Sequence, residues 1–211
     1  MKIGIVPAAG LATRWGYYPK FLLPCGDREW LLDRTIKAMP ADKIIVVYGD
    51  DTGPEIAHHL GRQGLTDNIV LRPNDRMDLD FFGSILAGIE DYADYYYFGM
   101  PDTYWPLDVF PKMGERGITL GVHYTENSQR YGMIRDGIVI NKQLGEPGMA
   151  WGLLGWNTEV RDLWLHSRLE NYTDAINLAM QECKTQIVPM DYYYDMASFS
   201  DYVDFLKELE L

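Results

Sequence analysis

Arg14, Lys20 and Asp102 are the side chains whose type and setting point to chemistry on phosphate groups. Arg14 and Lys20 belong to the stretch Ile5 to Pro24, which reads IVPAAGLATRWGYYPKFLLP. A short apolar run ends at Pro7, and a loop of small residues follows: Ala8, Ala9, Gly10 and Ala12. No bulky aromatic ring intervenes until Trp15, so the backbone of such a loop can lie close against a ligand. Its free N–H groups can cradle phosphate oxygens, with Arg14 and Lys20 adding full positive charge nearby. Neither a Walker A loop nor a Rossmann fingerprint is present, because the Gly-Lys-Ser/Thr ending and the further glycines are missing. Asp102 follows the apolar run Tyr95 to Met100, in GMPDTYWP. A carboxylate at the carboxyl end of a strand can hold Mg2+ between phosphate oxygens. Each feature also has a plainer reading: a tight turn, a solvated lysine, and an Asp that opens a Pro-Asp turn.

The combination is more specific than its parts. Pro7-Ala8-Ala9-Gly10, Thr13-Arg14, Pro19-Lys20 and Leu22-Leu23-Pro24 together resemble the signature of the nucleotidylyltransferases that make NDP-sugars and CDP-alcohols. That signature is a small-residue loop ending Gly-x-Gly-Thr-Arg, a gap, then Pro-Lys-x-x-Leu-Pro. The opening is similar to that of methylerythritol phosphate cytidylyltransferase. The resemblance implies transfer of NMP from an NTP to a phosphorylated acceptor, a sugar 1-phosphate, with release of pyrophosphate and with Mg2+ as cofactor. It assigns nucleotide binding to Ala8, Ala9, Gly10, Leu11, Ala12, Thr13 and Arg14, with Gly83 and Ser84 at the base and Arg72 and Asp80 nearby. Lys20 and Arg14 become catalytic cations, and Asp102 and Asp195 become metal ligands. Acceptor contacts fall on Tyr131, Gly132, Glu146, Gly155 and Lys142, the last standing in for the family's Glu-Lys-Pro lysine. The chain departs from the pattern at Ala12, where the family has its second glycine. A left-handed backbone there would cost alanine about 1 kcal/mol. Met100-Pro101 and Gly145-Glu146-Pro147 are further departures. They leave room for a cytidylyltransferase acting on a polyol or amino-alcohol phosphate, or for a nucleotide-binding module without turnover.

The elements that must position these residues follow from periodicity. Short apolar runs alternate with helix-period stretches, which predicts an α/β fold with a mostly parallel sheet. The resemblance refines this to a Rossmann-like three-layer α/β/α nucleotide-diphospho-sugar transferase fold with a mixed sheet. Strands are expected at Lys43–Tyr48, Asn68–Leu71 and Tyr95–Met100, and helices at Glu29–Met39 and Phe81–Ile89. Another helix should start near Pro54, behind the turn Asp50-Asp51-Thr52-Gly53. Beyond Ile118 the pattern changes to strands at Ile118–His123, Tyr131–Ile134, Ile138–Ile140 and Met149–Trp156. Asp136-Gly137 signals a hairpin there. Helices at Thr158–His166 and Thr173–Glu182, a strand at Gln186–Met190, and a last helix capped by Ser198 complete the chain. The expectation is one domain over 1–211, with a nucleotide-binding half at 1–115 and an acceptor-binding half at 116–211. The Tyr192–Tyr194 run reads as ordinary strand, and the rings around Trp151 as either core or platform.

The totals narrow the partners. The 211 residues are 47% hydrophobic and 24% charged, with 19 Lys+Arg against 31 Asp+Glu and a net charge of −12. Such a surface repels a nucleic-acid backbone. No secretory leader and no apolar run of membrane-spanning length is visible, so a cytoplasmic protein is expected, its oligomeric state open, homo-oligomer included. Cys25 and Cys183 fit no metal or redox spacing and read as reduced thiols. His58 and His59, adjacent on a helix, face different ways and make no metal pair.

Overall fold

The computed structural model describes residues 1–10, 12, 15–16, 18–49, 52–141 and 146–209. The chain opens with β1 (Lys2–Ala8), crosses a 3-10 turn at Lys20–Leu22, and forms a small hairpin of β2 (Pro24–Gly26) and β3 (Glu29–Trp30) before α1 (Leu31–Ala38). β4 (Lys43–Tyr48), α2 (Gly53–Gln63), β5 (Ile69–Pro73), α3 (Asp80–Ala87) and β6 (Tyr95–Gly99) continue the strand–helix alternation. β7 (Thr103–Tyr104) and α4 (Val109–Lys112) lead to β8 (Ile118–Thr125), β9 (Met133–Arg135), β10 (Ile138–Ile140) and the long β11 (Gly148–Asn157). α5 (Thr158–His166), α6 (Tyr172–Glu182), β12 (Thr185–Pro189), β13 (Tyr194–Asp195) and α7 (Phe199–Glu208) end it.

One nine-stranded sheet runs through both halves. β5, β4, β1 and β6 pair in parallel, and β8 pairs in parallel with β12. β11 joins the two sets by running antiparallel to both β6 and β8. All the strands of this sheet therefore point one way except β10 and β11, the mostly parallel α/β architecture expected. Alternation along each strand feeds two cores. Ile3, Ile5, Ile45, Val47, Tyr96 and Phe98 meet α3, α5 and α6 on one face. Val6, Ala8, Ile44, Val46, Tyr95 and Tyr97 meet α1, α2 and α4 on the other. Side chains of period two thus bury both faces, as a parallel sheet between helices requires. Cys25 and Cys183 are free thiols, and no described helix is long and apolar enough to cross a membrane.

Several local readings are met residue for residue. Asp136 and Gly137 both have positive φ, 50° and 78°, and close the β9–β10 hairpin. Ser198 caps α7 in a full capping box with Asp201. Others shift. The helix expected from Glu29 begins at Leu31, because Glu29 and Trp30 pair back onto Pro24–Gly26. Thr52 makes no side-chain cap; its hydroxyl instead donates to the carbonyl of Ala8 at 3.2 Å, tying the end of β4 to the end of β1. Asp50 and Asp51 lie outside the described residues.

Candidate active site

A cleft of about 750 Å3 opens at the carboxyl ends of β1 and β6, where an open parallel sheet places its ligands. One end is made of main chain and charge. Pro7, Ala8, Ala9, Gly10 and Ala12 line it, and a Cβ on Gly10 would meet nothing within 4 Å. Ala8 and Ala9 are buried, while at Gly10 the loop leaves open space where a ligand would lie. Ala12 has φ 47°, the left-handed backbone that its departure from glycine makes strained. Leu11, Thr13 and Arg14 lie outside the described residues.

Lys20 starts the 3-10 turn and forms an ion pair with Asp102, each side chain 19% exposed. Asp102 stands just beyond β6, held by its neighbour: the Thr103 hydroxyl donates to the Met100 carbonyl at 2.8 Å. Asp195 arrives from the far end of the chain. β13 pairs antiparallel with β7 so that Asp195 lies opposite Thr103, and the N–H of Met196 donates to the Asp102 carbonyl at 3.1 Å. This two-stranded ribbon puts the two carboxylate residues side by side on the cleft wall. Trp15 secures the same segment from the opening loop. Its indole N–H donates to the Met196 carbonyl at 3.1 Å, and its ring packs edge-on against Phe199 and Tyr202.

As a donor set, Asp102 and Asp195 are hard oxygen ligands with cations beside each, which is the chemistry Mg2+ asks of a protein when phosphate oxygens complete its shell. No cluster of three or more His, Cys, Asp or Glu that could hold a metal gathers among the described residues. A cation here would take two carboxylates and rely on ligand and water oxygens for the rest. The residues fit that role.

The opposite end is made of rings. Phe81 and Tyr172 stack with centroids 4.1 Å apart, and Trp151 leans against both at 5.8 and 5.7 Å. Tyr131 and Tyr193 continue the wall over His123, which stacks on Tyr193 at 4.7 Å and meets Tyr131 edge-on. Both ring nitrogens of His123 are buried with no hydrogen-bond partner among the described residues, and burial lowers its pKa to about 4. Burial also pushes the Tyr131 phenol up to about 12, so both groups stay neutral near pH 7. Gly132 and Gly152 allow this packing: a Cβ on the first would collide with the Trp151 indole, one on the second with the Tyr193 ring. The register of β11 shifts between Trp151 and Leu153, a bulge that turns both Trp151 and Gly152 toward the cleft.

Most of the residues singled out in the sequence meet at this cleft: Ala8, Ala9, Gly10, Ala12, Lys20, Ser84, Asp102, Tyr131, Gly132 and Asp195. Others do not. Gly83 lies beside the lining Ser84 but faces Arg76, whose carbonyl oxygen occupies the space a Cβ would need. Gly155 faces Tyr95 and Met113 in the core; Gly152 is the β11 glycine that reaches the cleft. Glu146 is exposed, its main-chain carbonyl accepting from Arg135 at 2.8 Å, and it does not line the cleft. Arg72 turns away to Glu90 and the Ala87 carbonyl. Lys142 lies outside the described residues, as does the side chain of Asp80. His59 bonds Asp33 at 2.7 Å between α1 and α2, away from the cleft. Sequence reasoning missed Asn74, whose amide donates to Ser84 Oγ at 3.2 Å, and Phe81, Asn141, Tyr172 and Tyr193. Nothing in their local pattern separates them from core residues.

A scan against family models finds no match to the chain, nor does a search of curated proteins. Solved structures do share its fold. A Bacillus anthracis protein described as a glucose-1-phosphate thymidylyltransferase, crystallised with sucrose, is 16% identical with a TM-score of 0.80, covering 99% of this chain and 95% of that one. The inositol-1-phosphate CTP transferase of T. maritima is 14% identical with a TM-score of 0.73, covering 100% and 96%. A UDP-glucose pyrophosphorylase from Acinetobacter baumanii is 14% identical with a TM-score of 0.74, covering 99% and 93%. The chain has the fold of sugar-phosphate nucleotidylyltransferases along its whole length.

Proposed function

We propose that the protein is a nucleotidyltransferase that moves NMP from an NTP onto a sugar 1-phosphate, giving an NDP-sugar and pyrophosphate. One observation carries the reading: Lys20 paired with Asp102 at the carboxyl ends of β1 and β6, with Asp195 tied beside them by the β7–β13 ribbon. In the reaction an oxygen of the acceptor phosphate attacks the α-phosphorus in line, forming one P–O bond as the bond to the β-phosphate oxygen breaks. The acceptor is already ionised, so no strong base is needed, and catalysis is positioning plus charge neutralisation. The N–H groups of the small-residue loop after β1, with Arg14, would hold the departing pyrophosphate. Lys20 sits between the phosphates and Asp102 and meets charge that develops on the α-phosphoryl oxygens. Asp102 and Asp195 would hold Mg2+, which supplies further charge neutralisation when bound.

The ring-lined end favours a second reading of the acceptor. With Glu146 and Gly155 away from the cleft and Phe81, Tyr131, Trp151, Tyr172 and Tyr193 along that end, a polyol or amino-alcohol phosphate is the competing substrate, with CTP as donor. The test is pyrophosphate release with Mg2+, crossing the NTPs and dTTP against sugar 1-phosphates and alcohol phosphates. A productive pair abolished by Lys20→Ala establishes the reaction and picks the acceptor. NTP binding without turnover across the panel points to a binding module of the same fold.

A further inference from the structure

The loop between β8 and β9 carries three consecutive residues that line the cleft, Arg130, Tyr131 and Gly132. A turn fixes its start, the N–H of Arg130 donating to the Asn127 carbonyl at 3.1 Å. The guanidinium then reaches across to the last helix. Nη1 and Nη2 donate to the two carboxylate oxygens of Asp201 at 2.7 and 3.0 Å. Nη2 also donates to the main-chain carbonyl of Asp195 at 3.1 Å and lies 3.5 Å from its Oδ2. Asp201 is itself pinned, for Oδ2 accepts from the N–H and hydroxyl of Ser198 at 2.7 and 2.6 Å in the α7 capping box. Burial would raise the Asp201 carboxyl, but the hydrogen bonds from Arg130 and Ser198 outweigh it and hold the group below its ordinary value.

The distribution of these bonds matters. The guanidinium spends its bidentate fork on Asp201, which balances its charge, and takes Asp195 by the carbonyl. Asp195 is thereby oriented on the cleft wall through its carbonyl and the 3.5 Å ion pair at Oδ2, beside Asp102. A planar fork with donors to spare can do both at once; an ammonium of the same charge cannot.

We propose that Arg130 is a positioning residue, which fixes the Asp195 carboxylate against the N-terminus of α7 and ties it to the loop that presents Tyr131 and Gly132. It rests on the reading of Asp195 as a metal-holding carboxylate in nucleotidyl transfer. Residues that orient metal ligands typically change metal affinity by about 10- to 100-fold when replaced. The geometry adds a second consequence. Loss of the Asp201 carboxylate leaves the guanidinium, already 3.5 Å from Asp195 Oδ2, to pair more closely with Asp195, so it too weakens cation binding.

The test uses the full chain, Arg130→Lys and Asp201→Asn, with Mn2+ and an NTP as probes. Water-proton relaxation reports the ternary complex of protein, Mn2+ and NTP; calorimetry in EDTA reports NTP binding alone. The expected result is about tenfold weaker ternary complex formation in both variants, with NTP binding in EDTA within about twofold of the parent. Parent-like or tighter ternary binding in the variants overturns the proposal, as does equal weakening with and without the cation, which is the mark of a general structural role. Absence of a ternary complex in the parent overturns it together with the metal-ligand reading of Asp195. Absence of turnover in the parent, with a ternary complex that the variants weaken, sinks only the transfer reaction and leaves Arg130 in its role. Should Arg130→Lys not fold, Asp201→Asn alone decides.

Discussion

The two ends of the cleft are built by opposite means. The phosphate end uses main chain and full charges: an open loop after β1, Lys20 and the two carboxylates beside it. The ring end uses neutral side chains packed on one another, with a buried histidine beneath them that carries no charge near pH 7. The first is arranged to meet charge that changes during a reaction, and it leaves space for ligand where Gly10 has no Cβ. The second offers shape, and its glycines serve the protein's own rings. On the proposed reading chemistry and recognition are separated along the cleft, and perturbing each end should leave a different trace.

The largest effect belongs to the phosphate end. Lys20→Ala or Asp102→Asn should lower turnover on the order of 10³-fold, about 4 kcal/mol of transition-state stabilisation, with the thermal midpoint little changed. Steady-state kinetics beside a melting curve checks it; near-normal turnover in both variants breaks the assignment of chemistry to this end.

The ring end should instead answer to pH. His123 is neutral in the folded protein, with its pKa lowered from 6.5 to about 4 by burial. The unfolded chain therefore takes up a proton near pH 6.5 that the folded one refuses until about pH 4, so stability falls as pH drops through that window. The difference corresponds to roughly 3 kcal/mol. Urea midpoints for the parent should decline between about pH 7 and about pH 4.5 more steeply than those of His123→Phe; equal slopes remove the buried histidine from the account. Tyr172→Phe deletes the hydrogen bond its hydroxyl makes to Asn141 at 2.5 Å. A loss of about 1 kcal/mol in stability is expected, with a raised KM for the acceptor and the KM for NTP unchanged. A shift in both KM values would erase the division between the ends.

The smallest effect returns to the loop. Ala12→Gly relieves a left-handed alanine at φ 47° and should stabilise the protein by at most about 0.5 kcal/mol after the entropy of glycine is counted. Denaturant midpoints decide it, and a loss of stability would mean that the loop's conformation is held by the alanine side chain.

How much of this was legible follows from the same contrast. The strand–helix alternation, the Asp136-Gly137 hairpin and the Ser198 cap were readable because each depends on near neighbours in the chain. So were the small-residue loop with Lys20 and the Asp after β6, since a backbone site needs only a contiguous stretch. Sequence placed the β11 acceptor glycine at Gly155, but a bulge at Trp151–Leu153 brings Gly152 to the cleft instead. Tyr193 read as plain strand, yet it covers Gly152 and His123. Phe81, Tyr172 and Tyr193 come from elements far apart in the chain, and an aromatic residue on a buried face looks the same whether its other side meets core or cleft.

The sequence by itself determined the α/β class, the order of elements and the kind of end each strand would have, because periodicity and turn chemistry act over a few residues. Only the tertiary structure decided which side chains share the cleft. Asp102 and Asp195 meet through a two-stranded ribbon, Trp15 is bound to the Met196 carbonyl, and Arg130 reaches Asp195 and Asp201 from another loop. Those contacts join parts of the chain whose separation no local pattern records, and they form because the packed sheet brings the strand ends to one place.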